Sequence, residues 1–389
     1  MKKNNCHTLI KIFSFVLFNF IVFGSSEIQS SENKKDTYPF LELFAETMHY
    51  VEKNYVDSVN RNELIEGAII RMLESLDSES YLKVYDKNFK DTNFDDFFFK
   101  KFGVTFYPKD GYVALINVLE NSPLSNAGLQ SGDLIRGVNE ILCLSMGTYK
   151  FYNLLFENIS KNPEVNINYI RNNDTFDVKV NFSESKKDFQ NVSVTKINDE
   201  FLHIKIFSFL NGTKEKILDA YEDLNNKKIK GIVVDIRNCA RGILSETLEV
   251  ADMFLESQKI VTLKFKSGKD VDYFAVSHKE DINKPAVILI NQNSIGYAEL
   301  LAASLKQREN TKIFGEKTIG KGKYQMDVKL DDKYTIHISG AEFIEPSGNS
   351  IEKNGVNPDV IYDYEKIRDL EEIEDPFLNE CIDLLKSMI

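Results

Sequence analysis

The chain has 389 residues, 42% of them hydrophobic and 28% charged, with a formal net charge of −12. That length predicts two or three domains, and the apolar share excludes a disordered chain. The acid excess, with no basic patch beyond short acid-flanked stretches such as Lys227–Lys230, excludes nucleic acid as the main partner.

Lys2 and Lys3 precede Ile12–Phe23, an apolar run whose polar members are Ser14 and Asn19, and small residues Gly24, Ser25 and Ser26 follow. This order predicts a secretory signal peptide over residues 1–26 and an exported, periplasmic or otherwise extracytoplasmic protein. The run is short beside the roughly 20 residues of a membrane span, so an uncleaved anchor is the lesser alternative. Residues 38–96 read as an N-terminal helical segment. Leu43, Phe44, Met48, Val51 and Tyr55, then Leu64, Ala68, Met72 and Leu76, fall at helical spacing on either side of a break at Asp57–Asn60. Asp86–Lys100 reads as a linker that packs aromatic side chains.

Residues 97–185 change to short strands: Val104–Phe106, Tyr112–Val118, Leu134–Val138, Val165–Ile170 and Thr175–Val180. Asp110-Gly111 and Asn172-Asn173-Asp174 are hairpin-type turns, and one helix is predicted near Tyr149–Ile159. Residues 190–364 alternate strand and helix. Ile232–Ile236 and Val287–Ile290 are apolar runs suited to strands buried on both faces, and helices are predicted after Thr213, around Leu244–Leu255 and over Tyr297–Gln307. A final helix over Pro376–Ile389 closes the segment 365–389. Past the signal-like region, Cys143, Cys239 and Cys381 form no disulfide framework or zinc pattern, and the five histidines are scattered, so neither metal nor cofactor is expected.

The run Asn121-Ser122-Pro123-Leu124-Ser125-Asn126-Ala127-Gly128-Leu129-Gln130-Ser131-Gly132-Asp133-Leu134-Ile135 resembles the SPAxxAGLxxGDxI segment of PDZ domains. Four further segments resemble, in order, those of the carboxy-terminal processing (tail-specific) serine peptidases. They are Leu64–Asp77; Asp235-Ile236-Arg237-Asn238 with Gly242; Gly315–Gln325; and Glu345–Ile351 with Gly355 and Pro358-Asp359. The resemblance implies a multidomain chain: N-terminal helices, a mostly-β PDZ domain and an α/β, crotonase-like peptidase domain. A PDZ domain binds a carboxy-terminal tail as an added strand, with backbone N–H groups taking the carboxylate. Phe102, Gly103 and Val104 match that loop, and the expected partners are carboxy-terminal tails of unfolded or exported proteins, with an active paralogue as a further candidate.

The family resembled here uses a serine activated by a lysine. Lys321 matches the general base and Gln325 the group that orients it. Glu299 lies 22 residues before Lys321 and matches the glutamate that follows the family's nucleophile by three positions, which places Gly296 where the serine belongs. Glycine offers no nucleophile. The oxyanion turn also departs, with Arg241 before Gly242. If the replaced glycine used a positive φ, arginine is strained there and the turn reshaped. The expectation is a chain that binds tails with proteolysis lost or impaired. The alternative is a working Ser-Lys endopeptidase that uses Ser294, two positions upstream of Gly296. Cys239 shares the altered turn, but no base stands beside it in the sequence.

Overall fold

The computed structural model describes residues 34–84, 94–184, 188–224, 228–278, 282–362 and 375–389. The signal-like residues 1–26 and the first part of the Asp86–Lys100 linker lie outside the described residues. The chain divides into two units, Met1–Ile69 and Ile70–Ile389.

In the first unit, α1 (Lys34–Asn54) is separated by a short break from α2 (Arg61–Glu74), which continues past the unit's end. Asn60 opens α2 by accepting the Asn62 N–H at 3.0 Å, and Arg61 reaches back to Glu52 with two hydrogen bonds of 2.6 Å. The break predicted at Asp57–Asn60 has this cap as its cause.

The second unit begins its strands with β1 (Tyr81–Val84). The second part of the predicted linker is instead a helix, α3 (Phe94–Phe102). Phe94, Phe98 and Phe102 recur every four residues, which puts them on one face, and all three are buried. The mostly-β part follows: β2 (Val104–Lys109), β3 (Tyr112–Val118), α4 (Pro123–Asn126), β4 (Leu134–Val138), β5 (Ile141–Leu142), α5 (Thr148–Lys161), β6 (Glu164–Arg171) and β7 (Asp174–Asn181). The sheet order is β2-β3-β4-β6-β7, with β5 beside β4, so β2 is an edge. Asp110 and Gly111, and Asn172 and Asn173, take the left-handed conformations that two-residue hairpins need. Ser122 caps α4 by accepting the Ser125 N–H at 3.1 Å, with Pro123 at its first position.

The α/β part contains β8 (Val192–Ile197), β9 (Phe201–Ile206), α6 (Thr213–Asp223), β10 (Gly231–Asp235), α7 (Leu244–Asp252), β11 (Lys259–Phe265) and β12 (Val271–Phe274). It continues with β13 (Ala286–Ile290), α8 (Tyr297–Leu305), β14 (Thr311–Gly315), β15 (Lys323–Lys329), β16 (Tyr334–Ile344), β17 (Val360–Ile361) and α9 (Pro376–Met388). One sheet runs β17-β14-β13-β10-β9-β8, parallel from β17 to β9 with β8 antiparallel. Every residue of β10 and β13 is buried, which explains their uninterrupted apolar runs. Helix α9 covers one face, with Cys381, Ile382 and Leu385 against Val233, Val287 and Leu289.

A third sheet, β1-β16-β11-β12 with β15 also on β16, was not anticipated from the sequence. Its first strand pairs with one some 250 residues later, Tyr81 opposite His337, so no local pattern announces it.

Candidate active site

The site lies past the carboxyl ends of β10 and β13, where open α/β sheets place their ligands. Two turns emerge there and are laced together. Asn238 donates its N–H to Asn291 Oδ1 at 3.1 Å, its Oδ1 accepts from Asn291 Nδ2 at 3.0 Å and Asn293 Nδ2 at 3.1 Å, and the Ile295 N–H donates to the Cys239 carbonyl at 2.8 Å. Ser294 belongs to this lacing. Its buried hydroxyl donates to the Ile236 carbonyl at 2.8 Å and accepts the Asn291 N–H at 2.9 Å.

Gly296 sits at the elbow between β13 and α8, with φ 62° and ψ −102°. That backbone is strained for any residue with a Cβ. Space is not the obstacle, because the nearest atom to an added Cβ is the Lys321 carbonyl oxygen at 3.7 Å. The elbow is held by Glu299, whose carboxylate accepts the Gly296 N–H at 2.9 Å, the Lys321 N–H at 2.8 Å, the Gly320 N–H at 2.7 Å and the Thr318 hydroxyl at 2.5 Å. Burial raises the Glu299 pKa, while these donors oppose the rise. In the sequence Glu299 served only as a spacing marker. Its bonds to both the elbow and the Lys321 loop join segments 22 residues apart, which no local pattern announces.

The glycines around Lys321 have a steric cause. An added Cβ at Gly320 would lie 2.7 Å from the Lys353 carbonyl carbon, and at Gly322 2.3 Å from the Glu352 nitrogen. The Lys321 ammonium lies 6.0 Å from the centre of the Tyr107 ring, which comes from β2. Tyr107, Ala114 and Ile116 of β2 and β3 pack with Ala240 and Ile295, so the mostly-β part contacts both turns.

Gln325 does not orient Lys321. Its amide donates to Ser339 Oγ at 2.9 Å, and that hydroxyl donates to Asp77 at 2.7 Å. Arg241 is also not the strained residue of its turn: Asn238 carries the positive φ of 57°. Gly242 is required by contact, since its Cβ would lie 2.5 Å from the Phe209 Cβ. The Arg241 side chain, 16% exposed, reaches Glu79 at 3.1 Å, Asp95 at 3.4 Å, Thr148 Oγ1 at 3.1 Å and the Phe106 carbonyl at 3.4 Å. Its guanidinium also lies 5.0 Å from the Tyr107 ring centre. Burial opposes the charge, but Asp95 and Glu79 outweigh it and raise its pKa.

Within the Phe102–Val104 loop, the Gly103 N–H is already engaged. Phe102 ends α3 with its ring in the core, and the Gly103 N–H donates to the Phe99 carbonyl at 2.8 Å. The Phe189 ring stands 3.0 Å from where a Gly103 Cβ would be, which is why glycine is needed there.

Residues 200–362 match the family described as "Peptidase family S41". The "Carboxy-terminal processing protease CtpA" of Bacillus subtilis (strain 168) is 26% identical over 370 residues, 91% of this chain and 75% of that protein. The "Carboxy-terminal-processing protease" of Bartonella bacilliformis is 25% identical over 341 residues, 85% of this chain and 77% of that protein. Among solved structures, the photosystem II D1 C-terminal processing protease shares the fold with a TM-score of 0.63 at 22% identity, over 83% of this chain and 92% of that one.

Proposed function

We propose that this homologue of the carboxy-terminal processing proteases, with its peptidase family S41 domain over residues 200–362, holds polypeptide tails outside the cytoplasm without cutting them. One observation carries the reading: the residue at the strand-to-helix elbow, with the lysine loop tied to the same carboxylate, is Gly296. A serine–lysine mechanism needs an oxygen there to form an acyl-enzyme. Ser294 is a poor substitute, because moving its hydroxyl into the site would break two buried hydrogen bonds and displace the elbow. The order of residues 1–26 supports export. The PDZ reading of residues 97–185 is supported by β2 at a sheet edge with α5 packed near it, the arrangement in which a tail joins as a strand.

The test is covalent chemistry. Wild type is expected to leave unfolded substrates intact and to take no label from a serine-directed acylating probe. Gly296→Ser is expected to gain weak labelling, limited by about 1–3 kcal/mol of backbone strain at a positive φ. Lys321→Ala added to that variant should abolish the labelling. Cleavage by wild type that disappears in Ser294→Ala would falsify the reading.

A further inference from the structure

Leu115 of β3 turns both backbone groups toward β4: its N–H donates to the Asp133 carbonyl at 2.8 Å and its carbonyl accepts the Gly132 N–H at 2.7 Å. Phe106 of β2 stands opposite Leu115. In an antiparallel pair, a residue whose partner faces away is not hydrogen-bonded across the pair, so the Phe106 N–H and C=O point to the free edge of the sheet. A strand added at β2 would need those two groups.

A side chain already holds the carbonyl, and a second stands at the N–H. Arg241 Nε and Nη2 each donate to the Phe106 carbonyl at 3.4 Å. The Phe106 N–H faces the Tyr152 hydroxyl, which donates to Asp95 at 2.6 Å, and Asp95 in turn pairs with Arg241 at 3.4 Å. Glu79 completes the ring of charge around the guanidinium at 3.1 Å. We propose that Arg241 and Tyr152 occupy the strand-addition edge of β2, and that the tail able to displace Arg241 brings a cation of its own.

The requirement for a cation follows from what Arg241 leaves behind. Its withdrawal strands Glu79 and Asp95, two half-buried carboxylates, without a counter-charge. A neutral tail leaves that cost uncovered, and an acidic one adds repulsion. A Lys or Arg two residues upstream of the one beside Val104, on the same face of the added strand, would reach this charge. The recognised class is therefore an extended tail with an internal basic residue near its carboxy-terminus. The inference rests on the tail-binding reading.

The full chain, as wild type, Arg241→Gln and Arg241→Ala, is titrated with fluorescent peptides sharing an apolar carboxy-terminus. These carry Arg, Ala or Glu two residues upstream. Wild type should prefer Arg over Glu, and both variants should bind the Arg peptide about tenfold more tightly than wild type does, the size of an ordinary coupling between competing contacts. Equal affinity for the three peptides, or variants that bind no better than wild type, overturns the proposal. Amide hydrogen exchange separates it from the broader reading. Slow exchange of the Phe106 amide in wild type that quickens in Tyr152→Phe upholds the capped edge even if no peptide binds, in which case tail binding is the reading that fails. Fast exchange of that amide in wild type sinks the capped edge itself.

Discussion

Glu299 receives four donors, three of them backbone N–H groups from two separate loops. A carboxylate is the side chain that can accept so many bonds in so little space. In Glu299→Gln the amide keeps one accepting oxygen and turns an NH₂ toward donors. The expected loss is about 1–3 kcal/mol, the cost of leaving a buried donor unsatisfied. A denaturant titration in which the midpoint falls at unchanged slope checks it. Arg241 and Gln325 are each placed by a local cause. Arg241 would be strained only at a positive φ, and its turn places the left-handed conformation on Asn238, whose side chain then makes two of the bonds to the neighbouring turn. Gln325 sits four positions after Lys321, yet β15 pairs with β16 and gives its amide to Ser339.

Between elements, Asp327 of β15 joins three strands, since it accepts from Lys83 of β1 at 2.7 Å and pairs with His337 of β16 at 2.5 Å. Burial pushes its pKa upward, but the bonds from His337 and Lys83 outweigh this and bring it down from 3.8 to about 2. A carboxyl whose folded value is depressed adds stability that is complete above its unfolded value. That stability is lost as pH falls through the folded value. Wild type should therefore lose an advantage over Asp327→Asn as the pH drops from 3.8 toward about 2. Above that window the gap should be about 1 kcal/mol or less, because the pair is partly exposed. Thermal melts of both proteins across this range check the sign, and an unchanging gap would count against the bridge. The β1 pairing depends on such cross-strand contacts, among them the Tyr81 ring stacked between Tyr149 and His337.

At the scale of the whole second unit, Asp235 is where the α/β sheet, the turn after β10 and the last helix are joined. It is buried at the end of β10, accepts from Arg237 Nε at 2.9 Å and Nη2 at 2.7 Å, and lies 3.3 Å from His203 of β9. Arg237 also pairs with Asp375, the cap of α9. Burial works against the Asp235 charge, yet His203 and Arg237 hold its pKa well below the usual carboxylate range. Asp235→Ala leaves Arg237 with one partner instead of two and should cost about 3–5 kcal/mol. Arg237→Met in the same chain should recover part of it. Equilibrium unfolding of the single and double variants checks both, and a double variant less stable than Asp235→Ala refutes the role of the unpaired charge. The sequence by itself determined the buried strands β10 and β13 and the helix after the elbow. Those follow from uninterrupted apolar runs and helical spacing, both of which are local. Only the tertiary structure decided that Arg241 reaches Glu79, Asp95 and Phe106, that Gln325 serves Ser339, and that β1 belongs with β16. Side-chain partners and strand neighbours far apart in the chain are chosen by packing and charge, which leave no period in the sequence to read.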